Sequence, residues 1–172
     1  MGVKFIRIGR LDEFNPPFTR KEIAETIARL IEKHGDGFVN KKTPEQIIKD
    51  PARYFLVLLI EFDDGAFKFL PLGCFAVNIV KQPCALLKSV VIRREYRGMG
   101  LGKKIIEIAT KYALSQKPCI EAYVKPNNQR MLHILTKLGY KIAERNKKHI
   151  KLVMHKNTLI EEIMKHLQKL KI

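Results

Sequence analysis

Apolar positions change period several times along this chain, and each change marks an element. Lys4 to Ile8 alternates in part and predicts a short first strand. From Thr19 the spacing turns helical. Glu22 stands three residues after Thr19, as a capping box requires, and Ile23, Ile27, Leu30 and Ile31 then recur at helical intervals. This helix is expected to end near Gly35 or Gly37. Thr43-Pro44-Glu45-Gln46 opens a second helix, with threonine as cap and proline at the first helical position, and Asp50-Pro51 stops it. Tyr54 to Phe62 is a run of aromatic and branched residues, closed by the turn Asp63-Asp64-Gly65. Leu70 to Val80 follows, and Gln82-Pro83 separates it from Ala85 to Ile92. These three strands read as an antiparallel meander.

After Gly102 the period lengthens again. Leu101, Ile105, Ile108 and Tyr112 step by three and four residues, so a helix runs to about Ser115. Cys119 to Val124 is a strand, and the unit Leu86 to Val124 is a strand-helix-strand crossover that demands parallel pairing. Asn127 can cap the next helix, whose Met131, Leu135 and Leu138 face inward and which Gly139 ends. Tyr140 to Ala143 and His149 to His155 form a hairpin. Thr158 with Glu161 is a third capping box, opening an amphipathic helix with Ile160, Ile163, Leu167 and Leu170 on one side. The sum is an α/β fold with a mixed sheet: one domain over residues 1–157, with residues 158–172 as an added helix packed on it.

A length of 172 residues suits that single domain, and the longest apolar stretch, Tyr54 to Ile60, is far too short to cross a bilayer. The N-terminus has no secretion-signal core, so a cytoplasmic protein is expected, as monomer or homodimer. Cys74, Cys84 and Cys119 form no CxxC pair and each adjoins an apolar run, which predicts buried thiols. The five histidines show no metal-ligand spacing, so no metal is expected. Charge changes the picture more. Residues 1–80 hold 12 basic and 11 acidic side chains, residues 81–172 hold 21 and 6, and the whole carries +16. Such asymmetry points to a ligand rich in phosphate or carboxylate near the second half, although a lysine-rich chain with 20 isoleucines and 5 glutamines also fits a hot-living source.

Arg94-Glu95-Tyr96-Arg97-Gly98-Met99-Gly100-Leu101-Gly102-Lys103 lies between a predicted strand and a predicted helix. Three glycines let the backbone turn tightly and approach a ligand, and the first-turn N–H groups of the helix converge with the loop amides. That is a site for a pyrophosphate, with Arg97, Lys103 and Lys104 at its rim. It is no Walker loop, which needs GxxxxGK[ST]. Nor is it a dinucleotide fingerprint, since the spacing is GxGxG and the preceding strand ends a meander.

The segment Val90 to Gly102 closely resembles motif A of the GNAT superfamily of acyl-CoA N-acyltransferases, R/Q-x-x-G-x-G/A. Arg97, Gly100 and Gly102 match it, and Gly98 matches a common additional glycine. Asn128, followed by Gly139-Tyr140, matches the family's second landmark. The resemblance implies a central sheet that splays after a bulge near Ser89 to Ile92, flanked by helices. It also implies acetyl-CoA as the acyl donor. Backbone groups of Val90, Val91 and Ile92 would hold the pantetheine arm. The amides of Arg97, Gly98, Met99, Gly100, Leu101 and Gly102, with Lys103, would hold the pyrophosphate, and Asn128 would approach the arm or the thioester. The Val91 N–H would donate to the oxyanion.

Acyl transfer to an amine needs that amine neutral, held against the carbonyl, and a proton for the departing thiolate. Family members often place the acid seven residues after the motif asparagine, which here is Leu135, and a glutamate on the strand before motif A, where Ala85 to Ile92 offers only Lys88 and Ser89. Tyr123 as acid and Glu121 as base are the substitutes, one of the two expected to point into the splay. His133 is read as a surface residue. The implied function is an N-acetyltransferase that moves an acetyl group to a primary amine by direct attack. The competing expectation is a basic nucleic-acid- or ribosome-associated binding protein on the same fold, although no RNA-recognition aromatic motif is present.

Overall fold

The structure, a computed structural model, describes residues 3–11, 13, 18–80 and 83–169. Gln82 and Leu170, both used above, lie outside the described residues. Seven strands and five α-helices follow one another: β1 Val3–Arg10, α1 Arg20–His34, α2 Pro44–Lys49, β2 Arg53–Asp63, β3 Ala66–Asn78, β4 Ala85–Ile92, α3 Leu101–Gln116, β5 Cys119–Val124, α4 Gln129–Lys137, β6 Lys141–Arg145, β7 Ile150–His155 and α5 Lys156–Lys169. A 3-10 turn over Arg94–Tyr96 precedes α3. The hydrogen-bonded strand order is β1-β2-β3-β4-β5-β7-β6, a mixed sheet in an α/β fold. The chain divides into two compact units, Met1–Ala76 with Lys88–Gly102, and Val77–Leu87 with Lys103–Ile172. Among the described residues no helix is long and apolar enough to cross a membrane.

The first unit forms where local signals are strongest. Thr19 and Glu22 satisfy each other's orphan groups at the start of α1, and Thr43 and Gln46 do the same for α2. Gly35 ends α1 and Asp50 ends α2. The apolar stripe of α1 (Ile23, Ala24, Ile27, Leu30, Ile31) joins one core with Ile47 of α2 and with Tyr54, Leu56, Leu58 and Ile60 of β2. Those β2 residues are every second one, as a strand with period two requires. The intervening Phe55 stacks on Phe75 with ring centroids 4.6 Å apart, so β2 is buried on both faces, which explains its continuous apolar run. The β2–β3 hairpin turns through Asp64 (φ 49°) and Gly65 (φ 77°), two left-handed residues whose twist matches that of the strands.

In the second unit, β4 pairs in parallel with β5 through Ala85↔Ile120, Leu86↔Glu121 and Leu87↔Ala122, and α3 makes the crossover. β7 lies antiparallel to both β5 and β6, with a bulge between Ile142 and Glu144. Ile105, Ile106, Ala109 and Ala113 of α3 are fully buried, as are Leu135 and Leu152. The buried Tyr140 hydroxyl meets Thr110 Oγ1 at 2.6 Å, a partner without which that hydroxyl would be costly to bury.

Three sequence expectations are corrected. Cys84 and Cys119 are not thiols but form a disulfide, because the register Ala85↔Ile120 sets the residues just before β4 and at the start of β5 opposite each other. Cys74 alone is a buried thiol, its pKa pushed up to about 12 by burial. Asn128, not Asn127, caps α4: its Oδ1 accepts the Met131 N–H at 3.2 Å. Finally, α5 begins at Lys156, so Thr158 lies inside it; the Lys156 N–H donates to the Pro118 carbonyl at 2.9 Å and the helix runs straight on from β7. Ile160, Ile163, Met164 and Leu167 of α5 are about half exposed.

The disulfide closes a segment with a sequence separation of 35. Loop-closure entropy for that length is worth about 4 kcal/mol. Urea titration of the protein with and without a reductant, and of a C84A/C119A variant, is expected to show a loss of about 2–4 kcal/mol. Coincident unfolding curves would show that the cross-link adds nothing.

Candidate active site

Ile92 ends β4, the 3-10 turn reverses the chain, and Arg97 re-extends it (φ −78°, ψ 157°) before the glycines. Gly98 has φ 79° and Gly100 φ 80°, both left-handed. A Cβ at either position would meet nothing within 4 Å, so these glycines answer to backbone conformation and leave open space beside them. Among the described residues no acceptor exists for the N–H groups of Gly98, Met99 or Gly100. Leu101 then opens α3, whose first turn contributes further N–H groups and contains no acidic side chain. Donors without acceptors, open space and the positive end of a helix dipole form a cradle that a diphosphate fits. Met99 is 74% exposed, and Lys103 and Lys104 are exposed as well.

Arg97 serves this cradle in an unexpected way. Its N–H donates to the Arg94 carbonyl at 3.2 Å. Its guanidinium, only 18% exposed, donates through Nε to the Ile92 carbonyl at 2.9 Å, through Nη1 to Asp36, and through Nη2 to the His34 carbonyl at the end of α1. Arg94 binds the same Asp36 carboxylate at 2.6 Å. Hydrogen bonds from Arg94 and Arg97 hold the Asp36 carboxyl below the usual carboxylate range. The His34 imidazole is held down by burial, and the neighbouring arginines add to that while Glu95 opposes it.

Val91 is buried in the core of the first unit, and Val90 is half-buried. Ser89, two residues before Val91, has φ 55°, a left-handed non-glycine residue in mid-strand. Gly73 of β3 lies so close that a Cβ there would stand 2.3 Å from the Val91 carbonyl oxygen. Beside this stretch lies a charge cluster that sequence reasoning missed. Asp50, 7% exposed, accepts from Lys88 at 2.9 Å, from the Tyr54 hydroxyl at 2.9 Å, from the Ala52 N–H at 2.9 Å, and from Lys42. Burial works against ionising Asp50, but the bonds from Lys42 and Lys88 outweigh it and hold its carboxyl far below the usual range. Burial likewise opposes the charge on Lys42, and the bonds to Asp50 and Tyr54 prevail, raising its pKa.

In the second unit, Glu121 and Tyr123 emerge from the same face of β5, as residues two apart must, so they do not point apart. The Tyr123 hydroxyl donates to Glu121 Oε1 at 3.4 Å, and Lys151 Nζ stands 2.9 Å from Glu121 Oε2. Glu121 is buried while Tyr123 is 42% exposed. The Tyr123 ring stands edge-on to His149 at 4.9 Å, with Lys151 Nζ 5.6 Å from its centre. The hydrogen bond from Lys151 to Glu121 raises the lysine's pKa. Asn128 spends its carbonyl oxygen on capping α4, which fixes the side chain and leaves its NH2 group with no acceptor among the described residues. His133 is exposed, and among the described residues no cluster of metal-ligating side chains exists.

Residues 24–140 match the family model described as Acetyltransferase (GNAT) family. The chain is 26% identical over 123 residues to an uncharacterized N-acetyltransferase of Chlorobaculum tepidum, an alignment that covers 71% of this chain and 72% of that protein. Its fold is similar to that of spermidine N-acetyltransferase from Vibrio cholerae, solved with CoA and spermine (TM-score 0.65, 13% identity, 90% of this chain and 98% of that one). It is also similar to N-acetyltransferase PseH from Campylobacter jejuni, solved with acetyl coenzyme A (TM-score 0.59, 15% identity, 88% and 99%). At those identities the structural likeness speaks for the fold. The family model covers well over half of the chain, and the chain belongs to the GNAT acetyltransferase family.

The Asp50 cluster carries a pH signature. A carboxyl held below its unfolded pKa stabilises the fold above about pH 4, and that stabilisation fades as pH falls toward the native value. D50N is expected to cost about 3 kcal/mol at pH 7, as breaking a buried ion pair does. The deficit should shrink by about 1.4 kcal/mol per pH unit below 4. Urea titrations at pH 7 and pH 3 check this; an equal deficit at both would exclude the ion pairs as its cause.

Proposed function

We propose that the protein is an acyl-CoA-dependent N-acyltransferase that moves an acetyl group from acetyl-CoA to a primary amine. The observation that carries this reading is the left-handed backbone at Gly98 and Gly100, which leaves three successive N–H groups without acceptors just ahead of α3. Family membership supplies the chemistry to match. When bound, the thioester supplies an activated acyl group, whose C–S bond is replaced by a C–N bond to the amine.

The chain's own residues would divide the work as follows. The amides of Gly98 to Gly102, with Lys103, hold the diphosphate, and Arg97 holds the loop. Backbone groups of Val90, Val91 and Ile92 take the pantetheine arm, and the Val91 N–H is the donor toward the developing oxyanion. The NH2 group of Asn128, oriented by its capping bond, is a further donor to the arm. The Tyr123 hydroxyl gives a proton to the departing sulfur, and the amine's proton passes to water. Glu121, engaged by Lys151, is better suited to orient the Tyr123 hydroxyl than to serve as free base. The acceptor is a primary amine, whether a protein N-terminus, a lysine or a small molecule.

A thiol-release assay with acetyl-CoA against a panel of amines, peptides and tRNA tests the reaction directly, and no release with any acceptor counts against it. G100V is expected to weaken coenzyme A binding about hundredfold in calorimetry. Its bulk fills the open space, and the left-handed φ costs roughly 1–2 kcal/mol besides. Unchanged affinity would remove the cradle from the binding site. Y123F is expected to slow turnover by roughly 10²-fold and to flatten the alkaline limb of the pH–rate profile. A profile that keeps its shape would remove Tyr123 as the acid.

A further inference from the structure

We infer that Asp36 is a positioning residue for the diphosphate cradle, acting through the guanidinium of Arg97. The inference rests on the proposed acyl-CoA reading and adds to it a residue from a distant part of the chain. Asp36 lies in the tight turn that follows α1, with φ 51°, and is separated from Arg97 by 61 residues. Its carboxylate binds Arg97 through one oxygen and Arg94 through the other, and Arg94 is itself in the 3-10 turn that leads into the cradle. Arg97 also donates from Nε and Nη2 to two backbone carbonyls, those of Ile92 at the end of β4 and His34 at the end of α1. One guanidinium thus ties the last residue of the strand, the end of the helix and the turn to the base of the glycine loop.

Two consequences follow from this geometry. With three of its five N–H groups engaged inside the protein, this guanidinium fixes the residue before Gly98. The glycines are the conformationally freest residues in the chain, so the positions of their amides depend on how firmly that preceding residue is held. A carboxylate bound by two forked guanidiniums provides such an anchor, because charge-assisted paired hydrogen bonds are strong and directional. Without the carboxylate, Arg94 and Arg97 lose their shared partner and the loop amides lose their common aim. The expected loss falls on the diphosphate and spares the pantetheine arm, which backbone groups of Val90 to Ile92 would hold.

The decisive variant is D36N. Asparagine tolerates left-handed backbone as aspartate does, so the turn persists, while the charge is lost and an NH2 donor faces guanidinium donors. Calorimetry of the full chain is run with coenzyme A and with pantetheine, which lacks the diphosphate. D36N is expected to bind coenzyme A about tenfold more weakly than the wild type, with pantetheine affinity changed less than about twofold at a temperature where both proteins are folded. R97K, which keeps charge but not the fork, is expected to show the same selective loss. The D36N/R97K double variant should be no weaker than about twofold below either, since both break one contact. Wild-type affinity in D36N, equal losses for both ligands, or additive losses in the double variant would each overturn the inference alone. A wild-type protein that does not bind coenzyme A would overturn the functional reading, and this inference with it.

Discussion

Exposed backbone N–H groups with no acceptor among the described residues are the constraint on which the rest turns. Folded chains pair nearly all buried N–H groups internally, whereas exposed ones are met by water, which a ligand can displace. Here the chain enters α3 through Gly98 and Gly100 in a conformation other residues resist, and leaves that row of donors open. Among the described residues no acidic side chain occupies the first turn of the helix. The arrangement makes physical sense if an anion supplies what the sequence withholds.

The surroundings of β4 show the same division between structure and chemistry. Ser89 breaks the strand's regular conformation, and its neighbour Lys88 meets Asp50, to which the buried Tyr54 hydroxyl also donates. Two ammonium groups on one carboxylate leave that cluster with a net positive charge just before Val90 and Val91. A field of that sign disfavours an ammonium nearby and favours the neutral amine that attack on a thioester needs.

What was legible in the sequence was local. Both capping boxes, the proline at the start of α2, the Asp-Gly hairpin and the glycine loop depend on neighbours within a few residues, and all are found as expected. The strands β4 and β5 match their anticipated limits because the apolar runs end abruptly. What was missed joins distant residues. Asp50 looked like a helix stop, and it is one, but its partner Lys88 is 38 positions away. The disulfide follows from the topology: once β4 and β5 are parallel neighbours, the residue before β4 and the first residue of β5 face each other. Cysteine spacing alone does not show it. Glu121 and Tyr123 were set in competition, although a strand's period of two already places them on the same face. The α5 start failed for a different reason, since Thr158 and Glu161 have the spacing of a cap while the hydrogen bond of Lys156 to Pro118 starts the helix earlier.

The excess of basic residues takes on a more specific meaning in this light. Asp36, Asp50 and Glu121 are each bound by cations, two for Asp36, two for Asp50 and one for Glu121. Each acid therefore neutralises at most one of the charges gathered around it. At Asp36 the remainder is one positive charge fixed at the base of the cradle, with Lys103 and Lys104 exposed on the turn beyond it. Such a field draws a polyanionic ligand toward the loop from a distance of about a Debye length, roughly 8–10 Å at moderate salt. Under the proposed reading, short-range contact would fall to the neutral amides, while Arg97 would contribute its charge and the hydrogen bonds that hold the loop in shape.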